Sequence, residues 1–321
     1  MFKKLKIIGL SLILAVGVFG CSKTDTSVEN DTMKICLILD EGGVNDQSFN
    51  QSAWEGALAS KEKYGVEVSY IESKSESEYF QNIETAIDED NDLIVGVGFK
   101  LTDTIEEASK SYPEQKFAII DGSYENTPSN VTSILFDEAG AGYAVGLIAS
   151  QMTSTNTVGF VGGMDIPSVS NFLVGFEKAI KEENKDIKVL SQYANSFTDS
   201  AKGKAIAQQM ISQGADILFT CGGGVNSGVW EACNEAGIKA IGVDMPSSQF
   251  APNTIITSAL KNIGTGLEIT IKDLVEGNFK GGEVAIYDLS SGGVGYEITE
   301  HLPGDIVEYV NKKLEGRIDV K

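Results

Sequence analysis

Residues 34–64 read KICLILDEGGVNDQSFNQSAWEGALASKEKY. The opening KICLIL is an apolar run of strand length, and SFNQSAWEGALASKEKY is a helix-length stretch. Between them lie two glycines, two aspartates and an asparagine, the residues that turn a chain. A strand handing over to a helix through such a loop is half of a βαβ unit, and the loop then falls where open α/β sheets bind ligands.

The same grammar continues on both sides of this stretch. VEVSYI, DLIVGV, KFAIID and VTSILF read as strands, separated by the helical EYFQNIETAIDED and TDTIEEASKSY. After a glycine- and alanine-rich helix, AGAGYAVGLIASQM, it restarts with TVGFVGG, VSNFLVGFEKAIKEEN, IKVLSQY, SAKGKAIAQQMISQG, DILFTC, VNSGVWEACNEAG and KAIGVD. Strands alternating with helices of this length imply parallel sheets. Two sheets follow, and 321 residues suffice for two lobes. NTIITSAL and EVAIYDL are too few for a third domain and read as strands crossing back between the lobes, with GTGLEITIKDLVEG returning to the first. Several crossings make a hinge. The expected division is 34–137 plus about 258–285 for the first lobe, and 138–257 plus about 286–321 for the second.

Residues 1–20 are different in kind. Lys3, Lys4 and Lys6 precede IIGLSLILAVGVFG, short for a spanning helix but the right length for a signal peptide. It ends at Cys21, and residues 21–33 read as a polar tether. The stretch resembles a bacterial lipobox, which implies lipidation of Cys21 and a place on the outer face of the cell membrane. A formal net charge of −21 disfavours nucleic acid as a partner. With Cys21 assigned to the lipid, Cys36, Cys221 and Cys233 leave an odd number, and buried free thiols are the better reading. The sole histidine, His301, lies far from any cysteine, so a Cys/His zinc site is not supported.

Polar residues recur at the ends of the expected strands: Asp40, Asp121 with Gly122, Gly222 to Gly224, and Asp244. Each aspartate alone reads as well as a helix cap or turn residue. Three at equivalent positions point to a shared cleft. The glycine run is either a flexible turn or a place where backbone approaches a ligand, and it has neither the phosphate-loop nor the dinucleotide spacing. Phe49, among polar residues at a helix start, is either a staple to Trp54 or a ring offered to the cleft. Phe197 in NSFTDSAKGK sits similarly in the other lobe. Two rings, one per lobe, would sandwich a flat heterocycle. Nearby carboxylates would accept from ring N–H groups or ribose hydroxyls, with Lys261 in TSALK completing the polar set.

DEGGVNDQSFNQSAWEG, GFVGGMDIPSVSNFLVGF, NSFTDSAKGKAIAQQM, GADILFTCGGGVNSGVWEACNEAGIKAIGVD and TSALK, in this order, resemble the basic membrane protein family of bacterial lipoproteins, the PnrA-like purine nucleoside receptors of ABC transporters. The resemblance implies a type I periplasmic-binding-protein fold, an α/β clamshell of two doubly wound parallel-sheet lobes. It implies a monomeric, lipid-anchored receptor that delivers guanosine, adenosine or inosine to a permease, with no cofactor, metal or catalytic residue. By motif, Phe49 and Phe197 would stack on the base, Asp40, Asn50 and Asp121 would bond its edge, and Gly224, Asp244 and Lys261 would hold the ribose. Two positions depart from the family: Asn171 stands where a basic residue is usual, and MPSSQ follows Asp244 in place of an acidic segment. Riboflavin or a sugar is the alternative ligand on such a fold. A nucleoside-cleaving enzyme is the more distant rival, because it would need clustered metal-binding carboxylates or an acid/base pair.

Overall fold

The computed structural model describes residues 32–318. The leader, Cys21 and most of the tether lie outside them. The first lobe runs β1 (Lys34–Leu39), α1 (Phe49–Tyr64), β2 (Glu67–Glu72), α2 (Tyr79–Asp88), β3 (Leu93–Val97), α3 (Thr102–Ser111), β4 (Lys116–Ile120) and β5 (Val131–Phe136). The second runs α4 (Glu138–Met152), β6 (Thr157–Gly162), α5 (Pro167–Glu183), β7 (Lys188–Tyr193), α6 (Ser200–Ser212), β8 (Ile217–Cys221), α7 (Val225–Ala236), β9 (Lys239–Asp244) and β10 (Ile255–Lys261). α8 (Ile263–Val275) and β11 (Val284–Tyr287) return to the first lobe, and β12 (Val294–Tyr296) and α9 (Gly304–Ile318) to the second.

The two sheets share one plan. Their orders are β11-β5-β4-β3-β1-β2 and β12-β10-β9-β8-β6-β7, so β1 and β6 occupy equivalent places beside the edge strands. Ile35 of β1 faces Val68 on one side and Leu93 on the other, both in parallel register. β1 is buried along five of its six residues because helices cover both faces, which is why KICLIL shows no alternation. The edge strands β2 and β7 are largely exposed and polar. Among the described residues only β12 pairs antiparallel, to β10.

α1 stops at Gly65, which takes the left-handed conformation (φ 69°) and donates its N–H to Lys61 O. Helices that cross closely do so at small residues. A Cβ on Gly175 of α5 would lie 2.0 Å from the Ala139 carbonyl oxygen of α4, and one on Gly142 would lie 2.1 Å from Phe172 O. The glycines and alanines of α4 therefore let a second helix lie against its backbone, and α4 is buried on nearly every side.

The sheets place the crossings after Phe136, after Lys261 and after Tyr287. The expected boundaries at about 258 and 285 thus shift. β10 stays with β9 as far as the Leu260–Asp244 pair, so the whole of TSALK belongs to the second sheet. β11 pairs with β5 through Tyr287 and Phe136. An apolar run marks a strand but not which sheet edge it joins, and the edge is decided by the connection that follows. Cys36, Cys221 and Cys233 are buried free thiols.

Candidate functional site

Strand ends from both lobes converge on one cleft. Asp40 follows β1, Gly98 follows β3 and Asp121 follows β4. From the other side come Gly222 after β8, Asp244 at the end of β9 and Lys261 at the end of β10. The cavity they line encloses about 590 Å³ of space, part of it open to solvent. Asp121 (φ 62°) and Asp244 (φ 66°) both sit in the left-handed region that most side chains avoid. Backbone held this way at two facing strand ends points to a site.

The polar groups form two linked networks. In the first, Asp40 Oδ1 accepts from Asn50 Nδ2 at 2.7 Å and from Gly42 N at 3.0 Å. That bond fixes the Asn50 amide, since a flip would set its oxygen against the carboxylate. In the second, the Lys261 ammonium donates to Asp121 Oδ2 at 2.5 Å and Glu138 Oε1 at 3.0 Å. Asp244 stands near enough to add its charge, and the Ser48 hydroxyl donates to Asp244 Oδ2 across the cleft. Burial alone would discharge Lys261, but Asp121, then Glu138 and Asp244, outweigh it and hold the ammonium charged well above the usual lysine range. One lysine does not neutralise three carboxylates. Burial accordingly raises the Asp121 carboxyl against the pull of Lys261, and raises Asp244 against Lys261 and the Ser48 hydroxyl. Asp40 is raised by burial too, opposed by its bonds from Asn50 and Gly42.

Aromatic rings supply the walls. Phe49 is the first residue of α1, and its ring passes 3.5 Å from where a Cβ of Gly98 would stand, with Gly98 itself at φ 107°. Phe197 lies on Gly163, where any Cβ would come within 2.4 Å of the ring. Phe99 meets Phe197 edge-on across the cleft at 6.5 Å. The Lys261 ammonium lies 5.3 Å from the centroids of both Phe49 and Phe136. Trp54, the alternative partner of Phe49, pairs with Tyr70.

Of the residues singled out from sequence, Asp40, Phe49, Asn50, Asp121, Phe197, Asp244 and Lys261 all line this cavity. Gly224 does not. Its N–H is engaged by Phe197 O at 2.9 Å, so it braces the Phe197 loop, while Gly222 and Gly223 line the cavity in its place. Sequence reasoning missed Phe99, Asp46, Ser48 and Glu138. Phe99 carried a signal, since it follows the β3 run LIVGVG as Asp121 follows β4. Asp46 lay inside the opening loop and Ser48 at the head of the helix-length stretch that follows it. Glu138, at the first crossing, had none. Asn171 Nδ2 approaches Glu138 Oε2 at 3.4 Å, so the departure at this position touches the lysine network from behind.

A family model described as "ABC transporter substrate-binding protein PnrA-like" matches residues 33–320. The chain is 35% identical to the "ABC transporter nucleoside-binding protein BmpA" of Lactococcus lactis, over 99% of this chain and 98% of the relative. It is also 35% identical to "Basic membrane protein A" of Borreliella burgdorferi, over 91% and 86%. Among solved structures it superposes on an ABC-transporter solute-binding protein of Aeropyrum pernix with TM-score 0.78 and 31% identity, covering 88% and 86% of the two chains.

Proposed function

The chain belongs to the PnrA-like family of ABC-transporter substrate-binding proteins, and from that premise we propose that it captures purine nucleosides outside the cytoplasm and delivers them to a permease. The observation that carries this reading is a pair of buried acceptors without partners, Asn50 Oδ1 and Asp121 Oδ1, in a cavity walled by Phe49 from one lobe and Phe197 from the other. A buried acceptor left unpaired is destabilising by about 1 to 3 kcal/mol, so the site is built to receive donors. A purine brings a flat face for the rings and N–H groups for the acceptors, and its ribose brings hydroxyls for Asp244 beside Lys261. A phosphate would meet an excess of carboxylates, so the nucleoside fits and its nucleotide does not. The protein holds this ligand and releases it unchanged. Cys21 is the proposed lipid anchor.

Calorimetry with guanosine, adenosine and inosine tests the reading. Phe49→Ala should weaken binding roughly five- to 150-fold, taking base stacking at about 1 to 3 kcal/mol. Asp244→Ala removes charged hydrogen bonds of about 1.5 to 3 kcal/mol each, so it should lose more with inosine than with hypoxanthine, which has no ribose. Binding of riboflavin or a sugar in place of all three nucleosides would sink the assignment, and release of hypoxanthine from inosine would show an enzyme.

A further inference from the structure

Ser48 stands at the N-cap of α1, where a serine hydroxyl ordinarily accepts a backbone N–H of the first turn. Here it makes no such bond. Asp46 caps the helix instead: Oδ1 accepts from Ser48 N at 2.9 Å and Gln51 N at 3.1 Å, and Oδ2 from Asn50 N at 2.9 Å. The capping duty has moved two residues upstream, and the serine hydroxyl is free to point elsewhere. It crosses to the other lobe and donates to Asp244 Oδ2, 196 positions along the chain, with Ser48 fully buried.

We propose that Ser48 is a positioning residue for ligand capture, its hydroxyl orienting the Asp244 carboxylate as the lobes close. This rests on the nucleoside-receptor reading. One oxygen of Asp244 is held by the opposite lobe, which turns the other toward the ligand. The bond spans the cleft, so it exists only when the lobes have met. Separating the lobes breaks it, so it acts on escape rather than entry.

The test is stopped-flow binding of inosine to the full chain, with Ser48→Ala, Asp244→Ala and the double variant. Ser48→Ala should raise koff about ten- to 100-fold and leave kon within about twofold, on the scale of a hydrogen bond to a charged group. Its ligand-free melting temperature should match wild type, because Asp46 still caps α1; a merely structural serine would lower it. In the Asp244→Ala background, Ser48→Ala should add nothing. An unchanged koff, or effects that add in full, would overturn the proposal while leaving nucleoside binding in place. Failure of wild type to bind any purine nucleoside would overturn the reading beneath it, and the proposal with it.

Discussion

At Asp46 a single carboxyl caps α1 and stands beside the ligand cavity. Burial holds it up at about 7, against three backbone N–H bonds, with the charge of Asp244 pushing the same way as burial. The folded chain therefore binds a proton at Asp46 between about pH 4 and 7 that the unfolded chain, with an ordinary carboxylate, does not. The resulting stability is present below about pH 4 and lost as pH rises through 7. Asp46→Asn keeps an acceptor for the cap and cannot ionise. Its melting temperature relative to wild type should improve from pH 5 to pH 8, and a pH-independent difference would show that Asp46 is ionised throughout. Residues of this kind were legible only in part. Asp40, Asp121 and Asp244 announce themselves by ending apolar runs, whereas Glu138 reaches Lys261 only because α4 begins where the chain changes lobes.

Among the elements, the crossing of α4 and α5 shows packing overriding propensity. Gly→Ala inside a helix ordinarily stabilises by about 1 kcal/mol. At Gly175 the new methyl would meet the Ala139 carbonyl at 2.0 Å, and that atom is backbone, fixed by its own helix. Overpacking of about 1 to 3 kcal/mol outweighs the propensity gain, so Gly175→Ala should lower the urea midpoint. A raised midpoint would mean the two helices separate easily. Most strands were readable as continuous apolar runs, since KICLIL and ILFTC leave no doubt about burial. β10 was readable as a strand but not as a member of the second sheet, because an apolar run does not show which neighbouring strand it pairs with.

For the whole molecule, closure should be visible in solution. Ser48 to Asp244, Lys261 to Asp121 and Phe99 to Phe197 all bridge the lobes, and a ligand between them adds further bridges. Saturating inosine should reduce the radius of gyration and raise the melting temperature by linkage. No change in either would count against a clamshell cycle. Among the described residues no helix is long and apolar enough to cross a membrane. Cys21 is the proposed anchor, and Cys21→Ala should move the protein from the membrane fraction to the soluble one.

The three crossings between lobes also set an order of assembly. β11 adds beside β5 in the first sheet, yet it is made only after every parallel strand of the second. A nascent chain, emerging amino end first, therefore presents β5 as an open edge throughout the synthesis of the other lobe. Such an edge invites pairing with a stranger. The first lobe cannot be finished before the second is begun, and a gene cut after Phe136 would leave the first sheet without β11, carried off on the piece that holds the second.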